Sequence, residues 1–237
     1  MSLNLNKTLV VAFALIVSIS AFSQETQNLK PQKDFYSDLI SQTVQEALKL
    51  REENLNWVQS IQNKHFNLSS AETKGHKLQL KKIEGIIPAP FEKVVKYYYD
   101  AFDNSQYTRN QECGSQLLIE KLDENSLITL YRGDGNNFVS PREHLSIQNK
   151  IELNESQILI TRTTLQDYYK VKVDPQAIRI NGIYSIFLEK ISDNQTHFVS
   201  YYRFDIGGYV PYIFMNMASE KRIEVLENDI EFINKIN

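Results

Sequence analysis

Four histidines are the side chains best suited to acid–base or metal chemistry, and they occur singly along the chain: His65, His76, His144 and His197. The sequence contains no His-x-His, His-Glu-x-x-His or Cys-x-x-Cys spacing, so it gives little support for a metal site. His144, within Pro141–Ser146, is the histidine that we expect to face a pocket. A hydrogen-bonded strand histidine is a better interpretation of His144 than a catalytic base. We therefore predict no catalytic residue, metal or cofactor.

The composition excludes some partners before any other motif is considered. The net charge of the 237 residues is −3 and no basic run is present, so we expect no nucleic-acid partner. An apolar fraction of 42% with 23% charged residues is ordinary for a globular protein. The 13 tyrosines and 12 phenylalanines indicate aromatic side chains packed on strand faces, or a pocket lined by rings whose tyrosine hydroxyl groups are polar.

Residues 1–23 have the pattern of a secretory signal peptide. Lys7 precedes an apolar run from Leu9 to Ile19, and Ala21-Phe22-Ser23 places small residues just before a cleavage point after Ser23. The run, about eleven residues long, is short for a membrane span. We therefore expect an exported protein, periplasmic or secreted. Residues 24–33 would be a flexible leader, and residues 34–237 would form one domain.

The single cysteine, Cys113, has no partner for a disulfide. An exported chain with this composition must be held together by its hydrophobic core rather than by crosslinks. We interpret Cys113 as a small strand residue rather than a reactive thiol.

Hydrophobic periodicity predicts a helix, two strands, a second helix, six strands and a long final helix. The first helix runs from Asp34 to Glu53, and the second begins near Pro90. The first two strands are predicted around residues 61–68 and 76–87. A β-bulge is expected near Lys81, where the alternation of apolar residues slips by one position. The later strands are predicted at 112–122, 126–132, 143–152, 156–164, 177–190 and 195–206.

The last segment, which follows Gly208-Tyr209-Val210-Pro211 and runs to Ile236, is predicted to be an amphipathic helix. Its apolar positions recur mostly at steps of three and four: Tyr212, Met215, Ala218, Ile223, Leu226, Ile230 and Ile233. The charged residues between them, including Arg222 and Asp229, are assigned to the polar face. The first turns carry bulkier side chains than the last. We expect Tyr212 to Ser219 to line a ligand cavity and the last turns to pack in the core.

Together these elements predict an α+β fold in which a curved antiparallel sheet wraps around the long C-terminal helix. Short turns separate most of the strands, which favours an antiparallel meander of hairpins. A sheet that curls around one helix leaves an internal space where a ligand would sit.

Four segments resemble the StAR-related lipid-transfer (START) family of the helix-grip superfamily: Ile83–Val94, Val139–Ser146, Ile178–Gly182 and Asp205–Pro211. They occur in the family's order and spacing, and the resemblance covers roughly residues 35–237. It implies a helix-grip fold with a tunnel for one sterol, phospholipid, ceramide or other apolar molecule. The C-terminal helix and the loop Gly133–Ser140 would open this tunnel. We expect a monomeric carrier, not an enzyme, with only transient membrane contact because the C-terminal helix is acidic along its polar face.

Nine residues are candidates for ligand binding. They are chosen from the alignment with the family motifs, from the last two predicted strands and from the start of the final helix: Tyr131, Gln148, His144, Tyr184, Tyr202, Phe204, Tyr212, Met215 and Ser219. Sterol-binding members have a buried acid and a buried arginine that face each other, and here these positions are Tyr131 and Gln148. Because Tyr131 and Gln148 are both neutral, this chain lacks the charge pair that would bind a sterol hydroxyl in those members. Arg142 matches a family arginine and is expected to bond loop carbonyls.

Two other functions stay open from the sequence. An enzyme acting on a small hydrophobic or aromatic substrate, such as a cyclase or aromatase, would use His144 and Tyr131 as its polar groups. An interaction module would fill the cavity with its own side chains. Two titratable side chains converging in the pocket would favour the enzyme, and a structure without a cavity would favour the module.

Overall fold

A computed structural model describes residues 33–100, 115–135, 140–208, 210 and 212–235, with the backbone alone for 33–34 and 212–221. Its helices are α1 (Lys33–Glu52), α2 (Phe91–Asp100) and α3 (Tyr212–Lys235). Its strands are β1 (Val58–Gln62), β2 (Phe66–Ala71), β3 (Leu80–Ile87), β4 (Ser115–Lys121), β5 (Ser126–Gly133), β6 (Arg142–Asn154), β7 (Gln157–Thr164), β8 (Ile178–Arg179), β9 (Asn181–Ser192) and β10 (Gln195–Asp205).

All ten of these strands belong to one sheet, in the order β1-β2-β3-β10-β9-β7-β6-β5-β4, with the short β8 beside β6. The described pairings are antiparallel except for β8, which runs parallel to the start of β6. The predicted α+β fold, a curved antiparallel sheet around a long C-terminal helix, is confirmed. The predicted strand 177–190 is divided into β8 and β9 at Ile180.

The inner face of the sheet, defined here as the side that carries α2 and α3, holds the largest core cluster. Apolar side chains of β2, β3, β7, β9 and β10 pack there with α2 and with Ile223, Leu226, Ile230 and Ile233 of α3. Each of these four α3 residues is buried. The predicted core packing of the last turns of the C-terminal helix is therefore confirmed.

The outer face of the sheet is covered by α1. Tyr36, in its first turn, contacts Tyr168 and belongs to a cluster that includes Leu145. Ala47 and Leu50, near its end, belong to a separate cluster with residues of β3, β7, β9 and β10. Both faces of the sheet are therefore buried over much of their area.

The segment predicted as a first strand around residues 61–68 is instead the hairpin β1–β2. Asn63 Oδ1 accepts hydrogen bonds from the backbone N–H of His65 (3.1 Å) and of Phe66 (2.8 Å). An asparagine side chain that mimics a backbone turn in this way closes the hairpin without glycine or proline.

The predicted β-bulge near Lys81 is wrong. β3 begins at Leu80 and pairs with both β2 and β10 without a register shift. Leu80 belongs to the outer cluster and Ile83 to the inner one. The apolar pattern changes phase along β3 because the strand has buried apolar side chains on both faces of the sheet.

The connection from β10 into α3 is held by Arg142. Its Nε donates to Ile206 O (2.9 Å), its Nη1 to Ser140 O (2.5 Å) and its Nη2 to Gly207 O (3.5 Å). Gly207 and Gly208 have φ values of 65° and 71°, a backbone conformation that glycine adopts without strain. The predicted role of Arg142, bonding loop carbonyls, is confirmed.

Candidate ligand-binding site

The strand register places a row of polar side chains across the inner face. Residues directly opposite one another in antiparallel strands point to the same face of the sheet. Six such residues, here called the polar row, cross β6, β7, β9, β10, β3 and β2 in turn: Gln148, Arg162, Tyr184, Tyr202, Lys81 and Ser70.

A second row, four residues away along each strand, is apolar: Ile158, Leu188, Phe198, Gly85 and Phe66. A Cβ on Gly85 would lie 2.0 Å from the His65 carbonyl oxygen, so the close approach of β2 requires glycine here. The inner face thus changes from apolar to polar along its strands. This polarity suits a molecule with one apolar and one polar end.

Gln148, at the β6 end of the polar row, is fully buried. Its Oε1 accepts hydrogen bonds from Arg162 Nη2 (2.5 Å) and Nε (3.1 Å). Its Nε2 donates to Tyr99 O (3.1 Å), at the end of α2. The amide therefore fixes the guanidinium of β7 and ties the sheet to α2.

Tyr184 contacts a second arginine, which comes from α3. Arg222 Nη2 donates to the Tyr184 hydroxyl at 3.1 Å, and its Cζ lies 5.7 Å from the centre of the Tyr184 ring. Burial opposes the charge of Arg222, but the Tyr184 hydroxyl and the Asp229 carboxylate outweigh it and raise its pKa. Arg222 is therefore a fixed cation at the sheet–helix boundary.

His144 lies at the polar end of the inner face. Its Nε2 is 3.0 Å from Thr164 Oγ1, and its ring meets Phe204 edge-on at 5.5 Å. Burial, and then the positive charges of Arg162 and Arg179, lower the pKa of His144 to about 3. The imidazole is therefore neutral at ordinary pH.

Asp229 of α3 is also on the inner side, at 3% exposure. Its Oδ1 accepts a hydrogen bond from the Tyr97 hydroxyl of α2. Its Oδ2 has no hydrogen-bond partner in the part of the chain that the structure describes. Arg222 and Asp229 were predicted to lie on the polar face of the helix, and the structure places both on its inner side.

Six of the nine predicted ligand-binding residues lie on the inner face. Tyr184, Tyr202 and Phe204 form an aromatic cluster with ring centres 6.1–6.3 Å apart. Gln148 and His144 adjoin it through Arg162 and Phe204. Tyr131 lies opposite His144 in the register and is half-buried. The side chains of the other three, Tyr212, Met215 and Ser219, fall outside the described residues.

Sequence reasoning missed Arg162, Arg222 and Asp229. Arg162 continues the alternation of Ile158 and Ile160, which puts it on the inner face of β7. Arg222 and Asp229 stand four residues before and three after Leu226, which is the spacing of one helix face. These spacings were the available signal. The charge of these three side chains predicts a solvent-facing position instead, and the structure contradicts that prediction.

A pocket of about 200 Å³ lies on the outer face, beside the end of α1, and is separate from the polar row. Three of its ionisable residues pair with each other: Glu84 lies 3.1 Å from Lys82 and 3.3 Å from His197. These ion pairs lower the pKa of Glu84 against the opposing effect of burial.

Two further kinds of site find no support in the described residues. No group of three or more His, Cys, Asp or Glu side chains there could hold a metal ion. No helix among the same residues is both long and apolar enough to cross a membrane.

Comparisons with solved structures agree on the fold. Human StAR-related lipid transfer protein 5 superposes with a TM-score of 0.73 at 13% identity, over 86% of this chain and 98% of that one. Human STARD10 superposes with a TM-score of 0.68 at 11% identity, over 89% of this chain and 82% of that one. A fragment of the StAR-related lipid transfer protein from Xanthomonas axonopodis superposes with a TM-score of 0.65 at 16% identity, over 75% of this chain and 98% of that one.

No curated protein sequence matches this chain. The family model of the START domain, in contrast, matches residues 39–236, a range that includes every described strand of the sheet and the whole of α3. The chain therefore belongs to the START domain family.

Proposed function

We propose that this protein is an exported lipid carrier that holds one hydrophobic ligand between the inner face of the sheet and α3. The observation that carries the proposal is the polarity of the inner face, which changes from the apolar row to the polar row beneath one helix. Membership of the START family and structural neighbours named as lipid transfer proteins support it.

Export is part of the proposal because of the signal-peptide pattern in residues 1–23, which lie outside the described residues. A monomer that meets membranes only transiently would suffice for a carrier, and the acidic polar face of the C-terminal helix disfavours stable binding to anionic lipid.

An enzymatic function is disfavoured by the state of His144. A general base works best when its pKa lies near the working pH. The pKa of His144 is lowered to about 3, mainly by burial, and its Nε2 lies against a threonine hydroxyl rather than a carboxylate. Such an imidazole is a weak base.

The test is lipid extraction from the purified protein followed by mass spectrometry, together with uptake of a fluorescent phospholipid by the delipidated protein. Tyr201 and Tyr202 provide a matched pair of variants, because they are neighbours on β10, are buried to 6% and 7% exposure, and face opposite sides of the sheet. Tyr202→Trp should reduce uptake by crowding the inner face. Tyr201→Trp should leave uptake unchanged.

One lipid per chain in the extract is the expected result. An extract without lipid, from a protein that also takes up no probe, would falsify the carrier function and favour an interaction module whose interior is filled by its own side chains.

A further inference from the structure

The pocket of about 200 Å³ on the outer face lies where α1 ends. Its floor is apolar, because Phe187 and Val199 lie directly opposite each other on β9 and β10 and both pack in the outer cluster. Leu153 lines the same pocket. The pocket therefore offers a small molecule apolar contact on the face of the sheet that is turned away from α3.

Arg51, in the last turn of α1, brings a positive charge to this pocket. Its Cζ atom lies 4.9 Å from the centre of the Phe187 ring, and its Nη1 is 3.5 Å from Gln157 Oε1. It has no acidic partner within the part of the chain that the structure describes. Most of its five N–H donors are therefore available to a bound anion.

Glu189 brings the opposite charge. It lies directly opposite Gln157 in the register of β7 and β9, which puts the two Cβ atoms about 5 Å apart. In the described chain its carboxylate contacts His197 Nδ1 at 3.9 Å, which is longer than a hydrogen bond. The other ring nitrogen of His197 lies closer to Glu84, at 3.3 Å. The Glu189 carboxylate can therefore accept hydrogen bonds from a bound cation.

Tyr201 adds a polar group beside the apolar floor. Its ring meets Phe187 edge-on, with the ring centres 6.0 Å apart. Burial and the charge of Glu84 raise the pKa of Tyr201, whereas the charge of Arg51 lowers it. The hydroxyl therefore lies within the influence of both charges, and it can donate a hydrogen bond to an anionic group held by Arg51.

We propose that this pocket binds a small zwitterion, an α-amino acid with an apolar side chain, whose carboxylate binds Arg51 and whose ammonium group binds Glu189. The planar guanidinium fork matches a carboxylate. One carbon atom carries both charged groups of such a ligand, which suits two protein charges in neighbouring parts of one pocket. The apolar side chain would lie on Phe187 and Val199. The sheet separates this site from the inner face, so the inference does not depend on the proposed lipid carriage.

The experiment compares three ligands that share one side chain and differ in charge. L-Leucine carries both charges, N-acetyl-L-leucine only the carboxylate, and L-leucinamide only the ammonium group. Each is titrated into the purified protein by calorimetry at millimolar concentration, at a pH that keeps the leucinamide amine protonated. Leucine should bind about tenfold more tightly than either derivative, since one charge-assisted hydrogen bond gives about that ratio.

Two variants and two controls locate the effect. Arg51→Gln should weaken leucine binding about tenfold without changing the affinity for leucinamide, and Glu189→Gln should do so without changing the affinity for N-acetylleucine. Lys49→Gln is the matched control for the arginine, because Lys49 is an exposed basic residue of the same helical turn and does not line the pocket. Glu231→Gln removes an exposed acid of α3. Both controls should bind leucine as the wild type does.

Equal affinity of the wild type for the three ligands, or binding of none of them, would overturn the inference and leave the carrier function standing. An equal loss of leucine binding in a control and in a pocket variant would also overturn it, because the loss would then follow the net charge rather than the site. If a pocket variant does not fold, the comparison of the three ligands on the wild type decides alone.

Discussion

The interior charge of this protein comes from residues that the family pattern does not indicate. The two positions where sterol-binding relatives are expected to carry an acid and an arginine are here Tyr131 and Gln148. Arg162, on the neighbouring strand, places its guanidinium on the Gln148 amide at 2.5 and 3.1 Å. The inner face therefore carries a half-buried arginine, but it comes from a different strand.

His144 should make the stability of the fold depend on pH. The pKa of the folded form is lowered from 6.5 to about 3 by burial and by the charges of Arg162 and Arg179. Between these two values the unfolded chain binds a proton that the folded chain does not. The free energy of unfolding should therefore fall as the pH drops, by up to about 1.4 kcal/mol per pH unit from this residue.

Urea unfolding at a series of pH values below 6.5 measures this dependence. His144→Gln should flatten the slope, because glutamine has no proton to gain. His76→Gln is the control, since His76 is exposed, and its slope should match that of the wild type. An unchanged slope in His144→Gln would show that other groups cause the dependence.

At the scale of elements, two acidic side chains in the second half of α3 attach the helix to its neighbours. Glu227 accepts from the backbone N–H of His65 at 3.2 Å, and its other oxygen lies 2.6 Å from His65 Nδ1. Asp229 accepts from the Tyr97 hydroxyl. These contacts join the helix to the β1–β2 turn and to α2.

Loss of the Tyr97 hydroxyl should destabilise the protein through Asp229. Tyr97→Phe removes a hydrogen-bond donor from a carboxylate that is 3% exposed, which costs about 1–3 kcal/mol in the free energy of unfolding. Tyr99→Phe is the matched control on the same helix, because its hydroxyl donates to a backbone oxygen, that of Glu124, at 3.2 Å. Chemical denaturation of both variants measures the difference.

Adding Asp229→Asn to Tyr97→Phe should recover part of the loss, because the double variant no longer buries a charge without that donor. Equal losses for Tyr97→Phe and Tyr99→Phe would mean that the Tyr97–Asp229 contact contributes little.

Elements whose apolar residues follow one clear period could be predicted from the sequence. Elements with apolar residues on two buried faces, or with a turn closed by a side chain, could not. The strands corresponding to β5, β6, β7 and β10 were predicted within one or two residues. β3 was misread because Leu80 and Ile83 face different buried layers. The β1–β2 turn was missed because Asn63 closes it with a side-chain oxygen.

The candidate site could be predicted where it is aromatic and not where it is charged. Tyr184, Tyr202 and Phe204 alternate on two strands and were predicted to face the interior, where the structure places them. Arg162 and Arg222 are read as surface residues by any rule that puts charge outside. Both are half-buried against the partners Gln148 and Tyr184, and those contacts exist only in the folded chain.

At the scale of the whole molecule, the sheet separates two layers that can respond differently to a ligand. α1 packs on the outer face with its own clusters, whereas α2 and α3 pack on the inner face. A ligand held on the inner face would touch β7, β9, β10 and α3 but not α1. Binding should therefore slow local opening of one layer more than the other.

Hydrogen exchange with and without the extracted lipid checks this difference. At a lipid concentration about 100 times the dissociation constant, linkage raises the free energy of unfolding by about 2.7 kcal/mol. Amide exchange should slow in α3 and at the polar row, while α1, beginning at Lys33, should show only the increase due to global stabilisation. Tyr202→Trp should abolish this pattern and Tyr201→Trp should retain it, since the two side chains lie on opposite faces. Protection confined to α1, or equal in both layers, would place the ligand outside the space between the inner face and α3.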